Sequence, residues 1–442
     1  MNRIASRAGI LFLLAILLIC GFALFLGEFF AKGSSWVMEP GSPHIYAGGN
    51  IGCGVVVDRD SNLLLDLTGG RTYSQSLSLR KATVHWLGDR FGSISAPALP
   101  YYADALAGFD PINGVYSYNK IGGVAELTLS ARVQIAALEA MGDYKGTVAV
   151  YNYKTGQILC AVTTPAYDPD NIPDSKPEGL YMNRFIQSKY IPGSIFKVVT
   201  LAAALENDPA VVNQTFLCTG SYKIGGEAIT CVAPHGAQTL KEAFCNSCNC
   251  AFAQISLQLG GQRLLAYVEK FGITKSISFD GITTAEGNFK ATGAEDLNVA
   301  WSGVGQYLDQ VNPCAFLTFM GAVANDGQVT MPHIVEKISV DGKTTYKSQL
   351  QPGVQIMSQA TARILQLYLQ NNVAVKYGSA NFPGLIVGAK TGTAEVGGDQ
   401  KPNAMLAGFV ENKDLAFMVC VEDAGYGSTV CIPIISEILK VV

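Results

Sequence analysis

Apolar and polar positions follow three regimes along this chain. The first is an uncharged apolar run over residues 10–27. At the helical rise it spans about 27 Å, close to a bilayer's hydrocarbon core. Arg3 and Arg7 precede it, and Glu28 and Lys32 follow. That flank predicts a single-pass anchor in the cell membrane, with a cytoplasmic N-terminus and everything after about residue 32 outside. A cleaved signal peptide is the competing reading. Its apolar region is ordinarily shorter, and Phe29-Phe30-Ala31-Lys32-Gly33 is a poor small-x-small cleavage site.

The second regime, residues 32–123, mixes Gly, Pro, Ser and Tyr with short apolar pieces such as 54–58 and 63–67. It predicts a small β-rich or irregular domain, suited to spacing and partner contact. In the third regime, 124–442, longer periodic elements take over. Leu129, Val133, Ala136, Ala137 and Met141 recur at helical intervals, with Thr128 or Ser130 as cap. Strands follow over 146–150 and 157–162, around the turn Lys154-Thr155-Gly156. A helix over 313–323 ends at Asn325-Asp326-Gly327. Late in the chain come a strand over 385–396, a hairpin of 405–410 with 415–421, and a closing helix over 431–442. A sheet built from early and late strands and covered by helices predicts an α/β (α+β) domain.

Composition narrows the class. With 31 basic and 35 acidic residues among 442, the charge balance offers no nucleic-acid surface. The 47 glycines have no period, which excludes a fibrous chain. None of the eleven cysteines sits in paired Cys-x2-Cys clusters of tetrahedral spacing. Cys245 and Cys248 have the spacing of a redox pair, but Cys250 follows at once and no thioredoxin-like strand–helix context surrounds them. Cys218 and Cys231 flank a stretch whose glycines can turn a hairpin, so a disulfide across it is a candidate outside the cell. The remaining cysteines read as small buried apolar residues.

Three short elements carry candidate chemistry. Ser194 and Lys197 stand three apart after Pro192-Gly193, at the start of an apolar run reaching Leu205. On a helix they share one face, so amine and hydroxyl can meet. The first-turn N–H groups also favour negative charge near Ser194. This is an activated-nucleophile pattern, although Ser-x-x-Lys alone is common and a solvated serine is the bland alternative. Ser247 and Asn249 can offer a hydroxyl and an amide to one cleft, or simply cap the following helix. Lys390-Thr391-Gly392 lies on the late strand, where strict alternation puts Lys390 and Thr391 on opposite faces. Gln306, after Gly303 and Gly305, is a further substrate-contact candidate.

In this order the three elements form the signature of penicillin-binding proteins and serine β-lactamases. The surroundings Tyr190-Ile191-Pro192-Gly193-Ser194-Ile195-Phe196-Lys197, Asn183-Arg184, Gly303-Val304-Gly305-Gln306 and Ala389-Lys390-Thr391-Gly392-Thr393-Ala394 resemble the transpeptidase domain of monofunctional penicillin-binding proteins. The resemblance covers about residues 124–442, and the short anchored front resembles the class B penicillin-binding protein A type. It implies an acyl-serine enzyme that cross-links D-Ala-D-Ala stem peptides of peptidoglycan on lipid-linked or nascent glycan, and that β-lactams acylate. It implies Ser194 as nucleophile, Lys197 as general base, and Ser247 with Lys390 as proton relay to the departing amine. Asn249 would bind the donor amide, while Thr391 and Thr393 would bind the terminal carboxylate. The backbone N–H groups of Ser194 and Thr393 would form the oxyanion hole. Gly392 would leave room for the substrate backbone. No metal or organic cofactor is expected, and a SEDS-family glycan polymerase is the expected membrane partner. D,D-carboxypeptidation is the alternative reaction. A β-lactamase lacks a convincing Glu-x-x-x-Asn element here, a β-lactam sensor lacks an evident cytoplasmic output domain, and an inert scaffold would not need all three motifs.

Overall fold

Five antiparallel strands make the central sheet, in the order Val387–Ala394, Asn403–Val410, Leu415–Val421, Gly146–Asn152 and Ile158–Thr164. They belong to a computed structural model that describes residues 2–38, 54–68, 70–94, 96–99, 105–106, 122–290, 296–351, 353–398 and 400–442. Cys53 and residues 107–121 of the expected small domain lie outside the described residues.

Alternation along the strands divides the apolar side chains between two layers. Val148, Val150, Phe417, Val419 and Val421 pack on one face, under the helices Ala131–Met141 and Gly427–Leu439. Ala149, Tyr151, Ala416, Met418 and Cys420 face the other way, toward the helices Pro313–Ala324 and Lys197–Asn207. Both faces are therefore covered, which explains why these strands read as nearly unbroken apolar runs. The closing helix begins at Gly427, a few residues ahead of the 431 start that periodicity suggests.

A second sheet runs in the order Lys343–Lys347, Val335–Val340, Gly123–Leu127, Val55–Val57, Leu63–Asp66 and Thr72–Tyr73. Gly123–Leu127 pairs parallel to Val55–Val57 and antiparallel to Val335–Val340, so strands from both sides of residue 123 share one sheet. Val56, Leu64, Leu127 and Ile338 join the same buried cluster as the inner face of the central sheet. The early segment also holds a helix, Leu77–Leu87, where strands or irregular chain were expected. Ser76 caps it by accepting from the Leu79 N–H at 3.3 Å. Its last turns bury Val84, Trp86 and Leu87, and Trp86 Nε1 donates to the Ala161 carbonyl at 2.7 Å. Tertiary burial outweighs the mixed propensity of this stretch.

The first helix covers Asn2–Met38. Within it Ile4–Gly33 is long and apolar enough to cross a membrane, and its most apolar window is wholly exposed. That is consistent with a membrane anchor.

Candidate active site

Ser194 lies in a 3-10 turn, Gly193–Phe196, that feeds directly into the helix Lys197–Asn207. Tight winding puts the two motif residues on one side, and Lys197 Nζ stands 2.8 Å from Ser194 Oγ. Gly193 makes this turn possible in two ways. Its φ is +56°, and a Cβ there would come within 2.6 Å of the Thr393 carbonyl oxygen. Gly305 presses from the other side, with its carbonyl accepting from the Gly193 N–H at 2.8 Å.

The second motif is a turn between two helices, Leu240–Cys245 and Asn249–Leu259. Ser247 takes a left-handed φ of +52° there, which separates the helices and turns its side chain toward Lys197. Lys197 Nζ donates to the Ser247 carbonyl at 2.9 Å and to Asn249 Oδ1 at 2.7 Å, with Ser247 Oγ at 3.2 Å. Asn249 is held in turn by donating through Nδ2 to the Thr230 carbonyl at 2.9 Å. It is therefore a positioned side chain rather than a helix cap; Cys248 occupies the cap position.

The third motif completes the ring. Lys390 Nζ lies 3.0 Å from Ser247 Oγ and 2.9 Å from the Thr391 carbonyl. Its strand is the edge of the central sheet, so residues of both its faces border the site. Thr391 and Thr393 line a cavity of about 460 Å³ together with Ser194, Ser247, Asn249 and Gln306. Lys390 reaches Ser247 from the opposite face of the strand, so alternation does not keep the two apart. Gly392 also lets the serine loop pack against the strand. A Cβ there would stand 2.9 Å from the Pro192 carbonyl oxygen and 3.1 Å from Ile195 Cγ2, so the serine's own loop takes the room the glycine leaves. Gln306 also borders the cavity, but its Nε2 donates to the Thr393 carbonyl at 3.0 Å, tying the serine side to the strand.

Burial sets the electrostatics. Both lysines are almost fully shielded from solvent. Desolvation lowers the Lys197 amine to about 7. Lys390 is also pushed well below the ordinary lysine value, by burial first and then by the nearby Lys197 charge. A neutral Lys197 has two N–H bonds and one lone pair. The Ser247 and Asn249 carbonyl oxygens accept the two hydrogens, leaving the lone pair for the Ser194 hydroxyl.

Several neighbours brace the site through contacts that the sequence pattern does not show. Tyr377 O–H accepts from the Thr391 N–H at 3.1 Å and shares a hydrogen bond with Thr391 Oγ1 at 3.0 Å. Tyr190, just ahead of the serine turn, donates to Glu422 Oε1 at 2.9 Å, and buried Arg184 donates to the same oxygen at 2.8 Å. The candidate Cys218–Cys231 bridge is not formed, and both side chains are free thiols. Between them Ser221–Ile224 and Glu227–Thr230 do form the expected hairpin. Cys218, however, pairs across to Gly236 on another strand, which draws its sulfur into a wider group containing Cys231, His235 and Cys248. Linear spacing hides that group, because its members come from a strand end, a loop and a helix start.

Two serine hydroxyls and two buried lysine amines thus meet beside the edge strand of a mixed α/β domain whose antiparallel sheet is covered by helices on both faces. Residues 146–440 match the family described as penicillin binding protein transpeptidase domain, and the chain belongs to that family. It is homologous to the class B peptidoglycan D,D-transpeptidase PbpA of Mycolicibacterium smegmatis, at 28% identity over 73% of this chain and 70% of that protein. It is also similar to stage V sporulation protein D of Bacillus subtilis, at 29% identity over 74% of this chain. The aligned region is 54% of that relative, so the chain spans about half its length. Among solved structures, penicillin-binding protein A from M. tuberculosis shares the fold with a TM-score of 0.79, 23% identity and coverage of 89% and 98% of the two chains. The D,D-transpeptidase domain of a peptidoglycan glycosyltransferase from Eggerthella lenta gives 0.77 at 26% identity, with the same coverages.

Proposed function

We propose that this chain is a serine-type D,D-transpeptidase, whose catalytic unit is residues 124–442 and which forms peptide cross-links in peptidoglycan through an acyl-Ser194 intermediate. The contact that carries this reading is Lys197 Nζ at 2.8 Å from Ser194 Oγ, with Ser247 joining both to Lys390. Neutral Lys197 takes the Ser194 proton as Oγ attacks the carbonyl of the penultimate D-Ala. The peptide bond to the terminal D-Ala then breaks, and its amine leaves with a proton passed along Ser247. An acceptor amine attacks the acyl-serine next and restores the free hydroxyl. The Ser194 and Thr393 N–H groups serve as the oxyanion donors, each worth roughly 3–4 kcal/mol in comparable acyl transfers. The backbone contact of Gly193 with Thr393 supports that pairing, since it keeps the two segments adjacent. Thr391 and Thr393 receive the substrate carboxylate, and Asn249 the donor amide.

The apolar helix Ile4–Gly33 supports a single-pass placement with the catalytic unit outside the cytoplasm. A membrane glycan polymerase of the SEDS family is the proposed partner. Labelling of the purified chain by fluorescent penicillin tests the chemistry. Ser194→Ala abolishes covalent label under this reading; equal labelling of that variant rejects it. Incubation with a pentapeptide donor and an amine acceptor then separates cross-linked product from free tetrapeptide acid, the outcome of a carboxypeptidase.

A further inference from the structure

Four soft donors gather behind the wall of the active-site cavity. The sulfurs of Cys218, Cys231 and Cys248 and a ring nitrogen of His235 all lie within 4.8 Å of one another. Cys231 Sγ is 3.9 Å from Cys248 Sγ and 3.6 Å from His235 Nδ1. A tetrahedral zinc with ordinary bond lengths would hold sulfur pairs about 3.8 Å apart and sulfur–nitrogen pairs about 3.6 Å apart. Cys218 and Cys248 are buried, and Cys231 and His235 are half-buried. We propose that these four residues bind one Zn²⁺ in a closed Cys3His site, and that the ion positions the Ser247–Asn249 turn.

Donor chemistry selects the ion. Three thiolates and an imidazole suit zinc, while magnesium and calcium prefer oxygen ligands. Four protein donors leave no open position, so the site is structural and the ion takes no part in acyl transfer. The backbone already gathers the donors. The His235 N–H donates to the Cys218 carbonyl at 3.1 Å, and the Cys248 N–H to the Ala243 carbonyl at 2.9 Å. A disulfide would need two sulfurs at about 2.05 Å and would leave the third thiol unpaired.

The connection to the active site is covalent and short. Cys248 is the residue between Ser247 and Asn249, both of which bond to Lys197. Cys231 borders the cavity itself, and its neighbour Thr230 accepts from Asn249 Nδ2. One ion would thus fasten the 218–236 excursion to the turn that orients Lys197. The turn's left-handed Ser247 gains a tether beyond the hydrogen bonds of its own helices.

Zinc binding does not depend on the acyl-serine reading; the positioning effect does. The full-length chain, purified in detergent without chelator, is expected to carry about one zinc per chain by elemental analysis. Replacement by Co²⁺ should give the absorption of a tetrahedral cobalt–thiolate site. Cys231→Ser with Cys248→Ser should lose the metal, Cys245→Ser should keep it, and His235→Cys alone should keep it in a four-thiolate site. Ser194→Ala should keep zinc while losing penicillin label, which separates failure of the metal site from failure of the serine chemistry. Metal-free protein that remains folded by circular dichroism should acylate slower by on the order of tenfold, and added zinc should restore the rate. Wild-type protein with no zinc and no cobalt spectrum, or with a Cys–Cys bridge among these residues by mass spectrometry, overturns the site. An unchanged acylation rate in folded metal-free protein overturns the positioning role.

Discussion

Lys197 and Lys390 meet at a single oxygen: Ser247 Oγ lies 3.2 Å from one amine and 3.0 Å from the other. Two buried cations at that separation repel, so the pair favours the loss of at least one proton. Since burial brings Lys197 to about 7, the neutral base is the minority below that pH and the majority above it. Acylation by penicillin should therefore rise about tenfold from pH 6 toward a plateau above 8. Stopped-flow rates between pH 5.5 and 8.5 check this; a flat profile would remove Lys197 from the role of base.

Gly193 offers a test of the close approach between the serine turn and the edge strand. Gly193→Ala puts a methyl against the Thr393 carbonyl and forces a side chain into a left-handed backbone. Displacement of Ser194 by even about 1 Å should slow acylation on the order of 100-fold. The fold should survive, and circular dichroism with acylation kinetics on one sample distinguishes the two effects.

Tyr377 holds the edge strand where Thr391 meets the cavity. Tyr377→Phe leaves the Thr391 N–H without that acceptor and frees Thr391 Oγ1 to rotate. A loss of roughly 1 kcal/mol in substrate positioning corresponds to about a fivefold rise in KM for a D-Ala-D-Ala donor. The kcat should change less, because Ser194 and Lys197 make no contact with the phenol.

Glu206, at the end of the helix that starts at Lys197, is a stability element far from the chemistry. Burial raises its pKa, but hydrogen bonds from Ser358 N, Thr361 Oγ1 and Ser358 Oγ and the Lys270 ammonium outweigh that and bring it down to about 2. The folded value lies below the unfolded one, so this stabilisation is present above pH 4.5 and is lost as pH falls through 2. Glu206→Gln should cost roughly 1–2 kcal/mol at neutral pH, and the difference from wild type should shrink in acid. Urea melts at pH 7 and pH 3 provide the comparison.

Much of the site was legible because its members occur as short local pairs. Ser194 with Lys197, and Ser247 with Asn249, need only a turn of chain to face the same way. The strands over 146–164 and 403–421 were legible too, since burial on both faces leaves a plain apolar run. What escaped was whatever depends on partners far along the chain. Nothing local announces that 335–340 pairs with 123–127, or that Leu77–Leu87 becomes a helix under Ala161. Nor does anything local show that Pro192 and Ile195 pack against the bare Cα of Gly392. Cys218, Cys231, His235 and Cys248 look like isolated thiols and one histidine until three crossings of the chain bring them together.

The central sheet takes two strands from residues 146–164 and three from 387–421, with the serine helix encoded between them. During synthesis, Ser194 and Lys197 leave the ribosome roughly two hundred residues before the strand carrying Lys390, and the Gly427–Leu439 helix that covers that sheet follows later still. A nascent chain thus holds Ser194 and Lys197 without Lys390 while roughly two hundred further residues are added. Reactivity toward strained amides should switch on late and all at once, and chains shortened by the final helix should be both unstable and unreactive.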